Sequence, residues 1–204
     1  MTASGRVEGR RRGRPSTGVR DAVIAAAERI LAEEGVARLS TKGVADRAGV
    51  AESSIFYHFR DRTGLLQAVV QRHLRPVKDV LGDIDAHRDL RADLVALMEA
   101  LEDFFVATIP VAAAIQSDAE LRARYLDRAQ ETDIGPHRAV DAMQARLAAA
   151  QPSASSAVNL RAAALLLVGA AHQRALQRHL SPASAFTSLP SPADIVDTVL
   201  PLFG

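Results

Sequence analysis

The 204-residue sequence has no cysteine and no tryptophan, and only 4% of its residues are aromatic. Without cysteine, the chain can form neither a disulfide framework nor a thiolate metal site. The N-terminus carries arginines but no apolar segment typical of a signal peptide. The longest strongly apolar run, residues 162–171, is about half of the roughly 20 residues that a membrane helix needs. We therefore expect a cytoplasmic protein that does not enter the membrane.

Several sequence patterns of enzymes are also missing. The chain contains no glycine-rich phosphate loop, no G-x-S-x-G turn and no HExxH motif. A di-metal site in a helical bundle needs Glu-x-x-His pairs, and none of the nine glutamates has a histidine three residues later. We therefore expect no enzymatic activity and no cofactor, although a helical-bundle enzyme stays open as the less favoured alternative.

The residues that are abundant favour helices. Apolar residues make up 48% of the chain, alanine and leucine are frequent, and runs of β-branched residues are absent. The sequence predicts an all-α protein of about nine helices. The helices expected after the first 61 residues are listed here: 62–81 with a kink at Pro76, 90–108, 111–116, 118–132, 137–150, 157–180 and 193–203.

The net charge of +1 hides an asymmetry along the chain. Residues 1–75 hold 14 lysines and arginines against 8 aspartates and glutamates, a net charge of +6. Residues 76–204 hold 11 against 16, a net charge of −5. A basic N-terminal part and an acidic remainder indicate that only the first part meets a polyanion.

The segment Leu39–Phe59, LSTKGVADRAGVAESSIFYHF, has the pattern of two short helices joined by a sharp turn. Ser40 or Thr41 can cap the first helix, and Gly49 follows its last residue. In the second helix, Ile55 and Phe59 share the buried side. The outer face then presents hydroxyl, phenol and imidazole groups, which suit base edges and phosphates in a major groove.

This pattern, from about Val19 to Leu66, resembles the N-terminal domain of the tetracycline-repressor (TetR) family of transcriptional regulators. The resemblance rests on EEGVARLS, ADRAGV, SIFYHF and DRTGLL. It implies base or groove contacts from Lys42, Glu52 and Ser53. It also implies phosphate contacts from the following residues: Thr41, Ser54, Tyr57, His58 and Arg62. Phe56 stands where the family usually has tyrosine, and Arg62 where lysine is usual.

The resemblance divides the chain into three parts. Residues 1–16 are expected to be a disordered basic arm, residues 17–61 the helix-turn-helix domain, and residues 62–204 a helical bundle for ligand binding and dimerisation. In the arm, Arg11, Arg12 and Arg14 either enter a minor groove or add only general charge. The sequence leaves both options open.

A helix as apolar as residues 162–171 must be covered on more than one side. The resemblance implies that it pairs with a second copy in a homodimer, with the interface formed by Leu166, Leu167, Ala170, Ile195 and Val199. The alternative is the centre of a monomeric bundle. We favour the homodimer because a single helix-turn-helix reads too few base pairs for useful specificity.

The resemblance also implies a cavity for a small-molecule effector in the acidic body. Candidate lining residues are His73, Met98, Phe105, Gln116, Tyr125, Met143 and Gln173, each of which is equally compatible with core or surface. The function expected is a ligand-responsive regulator, by family default a repressor, that binds a palindromic double-stranded operator as a dimer. A purely architectural DNA-binding protein is the alternative.

Overall fold

A computed structural model describes residues 16–82, 89–150 and 159–203. These segments form nine α-helices and contain no strand, which confirms the all-α prediction. The helices are α1 (Ser16–Glu33), α2 (Thr41–Ala48), α3 (Glu52–Phe59), α4 (Arg62–Gly82), α5 (Leu90–Ser117), α6 (Ala119–Thr132), α7 (His137–Ala149), α8 (Leu160–Leu180) and α9 (Pro192–Val199). Within the described residues, no helix is long and apolar enough to cross a membrane.

The chain forms two compact units, and the boundary between them, Leu65/Leu66, falls inside α4. The prediction placed this boundary between residues 61 and 62. Residues 1–15 of the predicted basic arm, with Arg11, Arg12 and Arg14, lie outside the described residues, and Ser16 begins α1.

The first unit is a three-helix arrangement of α1, α2 and α3, completed by the start of α4. Its apolar core follows from the helical spacing of the sequence, because α1 buries one face along its length. The buried residues are Val23, Ile24, Ala26, Ala27, Ile30, Leu31, Leu39, Val44, Ala45, Ile55, Phe59 and Leu65.

The second unit is a bundle in which α5 packs against α8 and α9, and α7 packs against α8. Its core is apolar and is contributed by α4, α5, α7, α8 and α9. Two ion pairs are buried within it: Asp93 with Arg146, and Glu102 with Arg174. The α5 residues of both pairs lie on a face that is otherwise apolar, so each charge has to meet its partner on the facing helix.

Helix α5 is longer than predicted, and the prediction of two separate helices was wrong. The sequence indicated that Pro110 separates two helices, 90–108 and 111–116, but α5 continues through it. Proline in a helix interior costs about 3 kcal/mol. Thr108, Val111 and Ala114 are buried on both sides of the proline, so packing of this face outweighs the local cost.

The C-terminal helix is shorter than the predicted 193–203. Ser191 caps α9 in a reciprocal arrangement with Asp194, and the hydrogen bonds from Ser191 lower the pKa of the Asp194 carboxyl. The helix ends at Val199, and a 3₁₀ turn, Leu200–Phe203, follows. Pro201 explains the change, because it lacks the N–H that the next α-helical hydrogen bond requires.

Two residues that end the helices of the first unit have positive φ. Gly49 follows α2 at φ 66° and ψ 38°, a left-handed conformation that glycine adopts without strain. Arg60 follows α3 at φ 68° and ψ −49°. A residue with a Cβ is strained in this region, typically by about 1–3 kcal/mol.

We predict that Arg60→Gly raises the free energy of unfolding by about 1 kcal/mol, because glycine removes this strain at some cost in unfolded-state entropy. Gly49→Ala is the matched control. A Cβ at Gly49 meets no atom within 4 Å, so it adds backbone strain alone and should lower stability by a similar amount. Urea denaturation of the full chain measures both changes. Loss of stability in Arg60→Gly would show that the Arg60 backbone is not strained.

Candidate nucleic-acid interface

Local capping chemistry sets the turn between α2 and α3. The Ser40 hydroxyl accepts the Gly43 N–H at 3.0 Å and so begins α2. At the other end, the Gly49 N–H donates to the Ala45 and Asp46 carbonyls. Helix α3 then begins at Glu52 without a side-chain cap at Ala51. Its orientation follows from the two anchors described next.

Helix α3 is anchored by Ile55 and Phe59, which are 0% and 5% exposed. This confirms the buried side that the sequence predicted. The Arg20 guanidinium of α1 lies 5.6 Å from the centre of the Phe59 ring, a cation–π contact that joins the two helices. The anchors fix which residues of α3 face outward.

The outward face of α3 carries two exposed aromatic side chains. Phe56 is 51% exposed and Tyr57 is 83% exposed, while the Tyr57 and His58 rings meet edge to face at 4.9 Å. Glu52 and Ser53 are exposed as well, and Ser54 and His58 are half-buried. Large aromatic groups left in water on an eight-residue helix are typical of a surface that binds a partner.

Three predicted contact residues have different surroundings. Lys42 is exposed on α2. The Thr41 hydroxyl donates to the Glu52 carboxylate at 2.6 Å. Arg62 is half-buried and one of its amino groups, Nη2, donates to the Val36 carbonyl at 2.9 Å. Since a guanidinium has five N–H donors, this bond still permits another contact from Arg62.

Sequence reasoning missed Arg60, an exposed cation directly after α3. The available signal was an arginine at a helix end that usually takes glycine. Another cation of the first unit, Arg47, is paired with Glu33 and Glu34 of α1, the latter at 2.5 Å. Its charge is therefore directed toward the protein.

The second unit contains a cleft of about 360 Å³ between α4 and α5. It is lined by His73, Pro76, Val80, Ala96, Glu99, Ala100, Asp103 and Phe104. Most of the lining is apolar, and the carboxylates of Glu99 and Asp103, one helical turn apart, are exposed. In the described part of the chain, no three histidine, aspartate or glutamate side chains are grouped to hold a metal ion.

Of the seven predicted ligand residues, His73 lies in this cleft. Met98 and Met143 are fully buried in the core of the bundle and do not line it. Gln116 and Gln173 are exposed. The hydrophobic pattern placed both methionines on an inward face but did not distinguish a filled core from a cavity wall.

The remaining two are aromatic and half-buried. Phe105 meets the His172 ring edge to face at 5.0 Å. Tyr125 lies on α6, where burial raises the pKa of its phenol. Of the seven residues, His73 is the one that lines the cleft between α4 and α5.

The residues predicted for a dimer interface differ in exposure. Leu166 is 64% exposed on α8, whereas Leu167 is fully buried in the core of its own chain. This corrects the assignment of Leu167 to a surface. The periodicity of α8 explains it, because Leu167 shares the inward face with Ala163, Ala164 and Ala171. Ala170, Ile195 and Val199 are half-buried.

Comparison with known proteins agrees with this geometry. Residues 23–69 match the profile of the family described as bacterial regulatory proteins, tetR family. The uncharacterized HTH-type transcriptional regulator YvkB of Bacillus subtilis is 30% identical over 82 residues, 39% of this chain and 43% of that protein. The HTH-type transcriptional repressor BepR of Brucella suis is 31% identical over 62 residues, 30% of each chain. The chain thus spans less than half the length of these curated relatives.

Solved structures match over more of the chain. The SmeT–triclosan complex has a TM-score of 0.64 at 22% identity and covers 90% of both chains. FadR from Bacillus subtilis in complex with stearoyl-CoA has a TM-score of 0.61 at 16% identity, covering 90% of this chain and 96% of that one. At these identities the likeness concerns the fold. The family match over residues 23–69 agrees with the expectation of a regulator. Residues 23–69 thus match the N-terminal domain of the tetR family of bacterial regulatory proteins, and the helical fold of the chain is similar to those of SmeT and FadR.

Proposed function

We propose that this protein is a ligand-responsive transcriptional regulator that binds a palindromic operator as a homodimer. The observation that carries the proposal is the outward face of α3, where Ser53, Phe56 and Tyr57 are exposed, together with the exposed cation Lys42 on α2. Hydroxyl and aromatic groups on a short helix after a tight turn fit a major groove. The relative named BepR is a repressor, and we assign repression to this chain by analogy.

Selection of bound sequences from random duplexes tests the DNA-binding part. We predict that Tyr57→Ala weakens every duplex to a similar extent, by about 1 kcal/mol, because its hydroxyl contacts phosphate in the proposed complex. Ser53→Ala should instead change the preferred sequence. Fluorescence anisotropy with selected and scrambled duplexes measures both effects. Equal affinity of the wild type for the two duplexes would rule out the regulator function.

The homodimer is proposed from the exposed side of α8. Leu165 and Leu166 are 60% and 64% exposed. One turn further along, a Cβ on Gly169 would meet nothing within 4 Å of its own chain. Neighbouring leucines and an open glycine form an apolar strip on which a second copy of α8 can approach closely.

We predict that Leu166→Arg converts dimers to folded monomers, because dimerisation would bury an unpaired guanidinium. The dissociation constant should rise by about a hundredfold or more, since such burial costs several kcal/mol. Leu126→Arg, at an exposed leucine of α6, is the control and should leave the dimer unchanged. Sedimentation velocity reports the assembly state, and circular dichroism reports folding. A wild-type monomer at micromolar concentration would contradict the proposal.

The effector site is proposed at the cleft that His73, Pro76 and Phe104 line between α4 and α5. A mainly apolar molecule fits a lining of this kind, oriented by the few polar groups at its edge. The ligands named for the structural neighbours SmeT and FadR are triclosan, which is largely apolar, and stearoyl-CoA, which carries a long apolar acyl chain. They serve here as probes for the chemical class.

Because the chain contains no tryptophan, the fluorescence of a single introduced tryptophan reports ligand binding at that position. We predict that Phe104→Trp responds to an apolar ligand with a saturable change in fluorescence, because the indole would lie against the ligand. The same titration should release the operator. Phe186→Trp, in the 3₁₀ turn Ala183–Ser188, is the control and should not respond. If triclosan or an acyl-CoA releases the operator without changing the emission of the Phe104→Trp variant, the effector binds elsewhere.

A further inference from the structure

The hydrogen bond from Thr41 to Glu52 joins the first residues of α2 and α3. Thr41 Oγ1 donates to Glu52 Oε1 at 2.6 Å, across eleven positions of sequence. This length is typical of a hydroxyl bonded to an ionised carboxylate, one of the stronger kinds of hydrogen bond. Glu52 is exposed and Thr41 is half-buried. The less exposed Thr41 hydroxyl therefore holds the Glu52 carboxylate in place at the surface.

The bond determines what each of the two side chains can still contact. A threonine hydroxyl has a single proton to donate. Because Thr41 gives that proton to Glu52, it has none for a phosphate oxygen, which only accepts hydrogen bonds. This argues against the phosphate contact that the sequence implied for Thr41.

The carboxylate of Glu52 is also restricted in its partners. An ionised carboxylate accepts hydrogen bonds and does not donate them, and phosphates repel it. In the major groove the donors that remain are base amino groups, and cytosine N4 is the usual partner of glutamate. Glu52 is therefore suited to contacting a base and unsuited to contacting the phosphate backbone of DNA.

We propose that Thr41 is a positioning residue that holds Glu52 for recognition of a cytosine amino group. A free glutamate side chain has three rotatable bonds, and ordering it on binding lowers affinity. The bond to Thr41 restricts the glutamate before DNA arrives. This inference rests on the proposed DNA-binding function and concerns which residue of that interface sets the sequence preference.

The test compares affinities for the selected operator and for operators changed at single base pairs. Glu52→Gln should move the preference at one position from cytosine toward adenine, the base that glutamine reads. Thr41→Val, which keeps the shape but lacks the hydroxyl, should reduce discrimination at that same position by about fivefold or more. Thr41→Ser retains a hydroxyl and should retain the discrimination.

The double variant Thr41→Val/Glu52→Ala separates positioning from an independent contact, because alanine removes the acceptor of the Thr41 hydroxyl. If Thr41 acts through Glu52, the double variant should discriminate no worse than Glu52→Ala alone. The slope of affinity against salt concentration should not change in Thr41→Val, since no phosphate contact is lost.

Two results would overturn the proposal. Uniform weakening of all duplexes by Thr41→Val, with the salt slope reduced by about one, would make Thr41 a phosphate contact. Unchanged discrimination with a lower melting temperature would make the bond only a link between α2 and α3. In either case the wild type still prefers its selected operator, which distinguishes these outcomes from failure of the proposed function itself.

Discussion

The fold of the second unit depends on carboxylates of α5 that are buried with arginines of the facing helices. Glu102 accepts from Arg174 Nε at 2.6 Å and from Arg178 Nε at 2.7 Å, and Arg174 also donates to the Pro190 carbonyl ahead of α9. Asp93 bonds Arg146 of α7. Removing one partner of a buried pair typically costs about 3–5 kcal/mol. Any other register of α5 would leave such a charge unpaired.

The first unit is held together in a different way. Its helices meet through an apolar core, and the polar links between them, such as Arg47 with Glu34, lie at the surface, where an ion pair contributes little to stability. The residues that stay exposed therefore have no large role in folding. This leaves the outward face of α3 available for a partner, and it explains how Phe56 and Tyr57 can remain in water without loss of the fold.

The exposed apolar strip of α8 follows from the way this helix packs in the bundle core. Helix α8 directs Leu167 and Ala171 inward and so must direct Leu165 and Leu166 outward. The bidentate bond of Arg91 to Asp197, at 2.6 and 2.7 Å, ties α9 to the start of α5 and lowers the pKa of the aspartate. The second unit thus exposes apolar surface on one side of α8, while ion pairs such as Arg91–Asp197 join its helices.

The sequence by itself determined the helical class, the limits of α2 and α3, and the burial of Ile55 and Phe59. These features depend on local capping and on the spacing of apolar residues along one helix, and both can be identified from neighbouring residues in the sequence. Tertiary structure alone decided that α5 continues through Pro110 and that Leu167 is core while Leu166 is surface. Both depend on which helix lies opposite, and a uniformly apolar run carries no information about that. The bond between Thr41 and Glu52 likewise required the turn that brings two helix ends together.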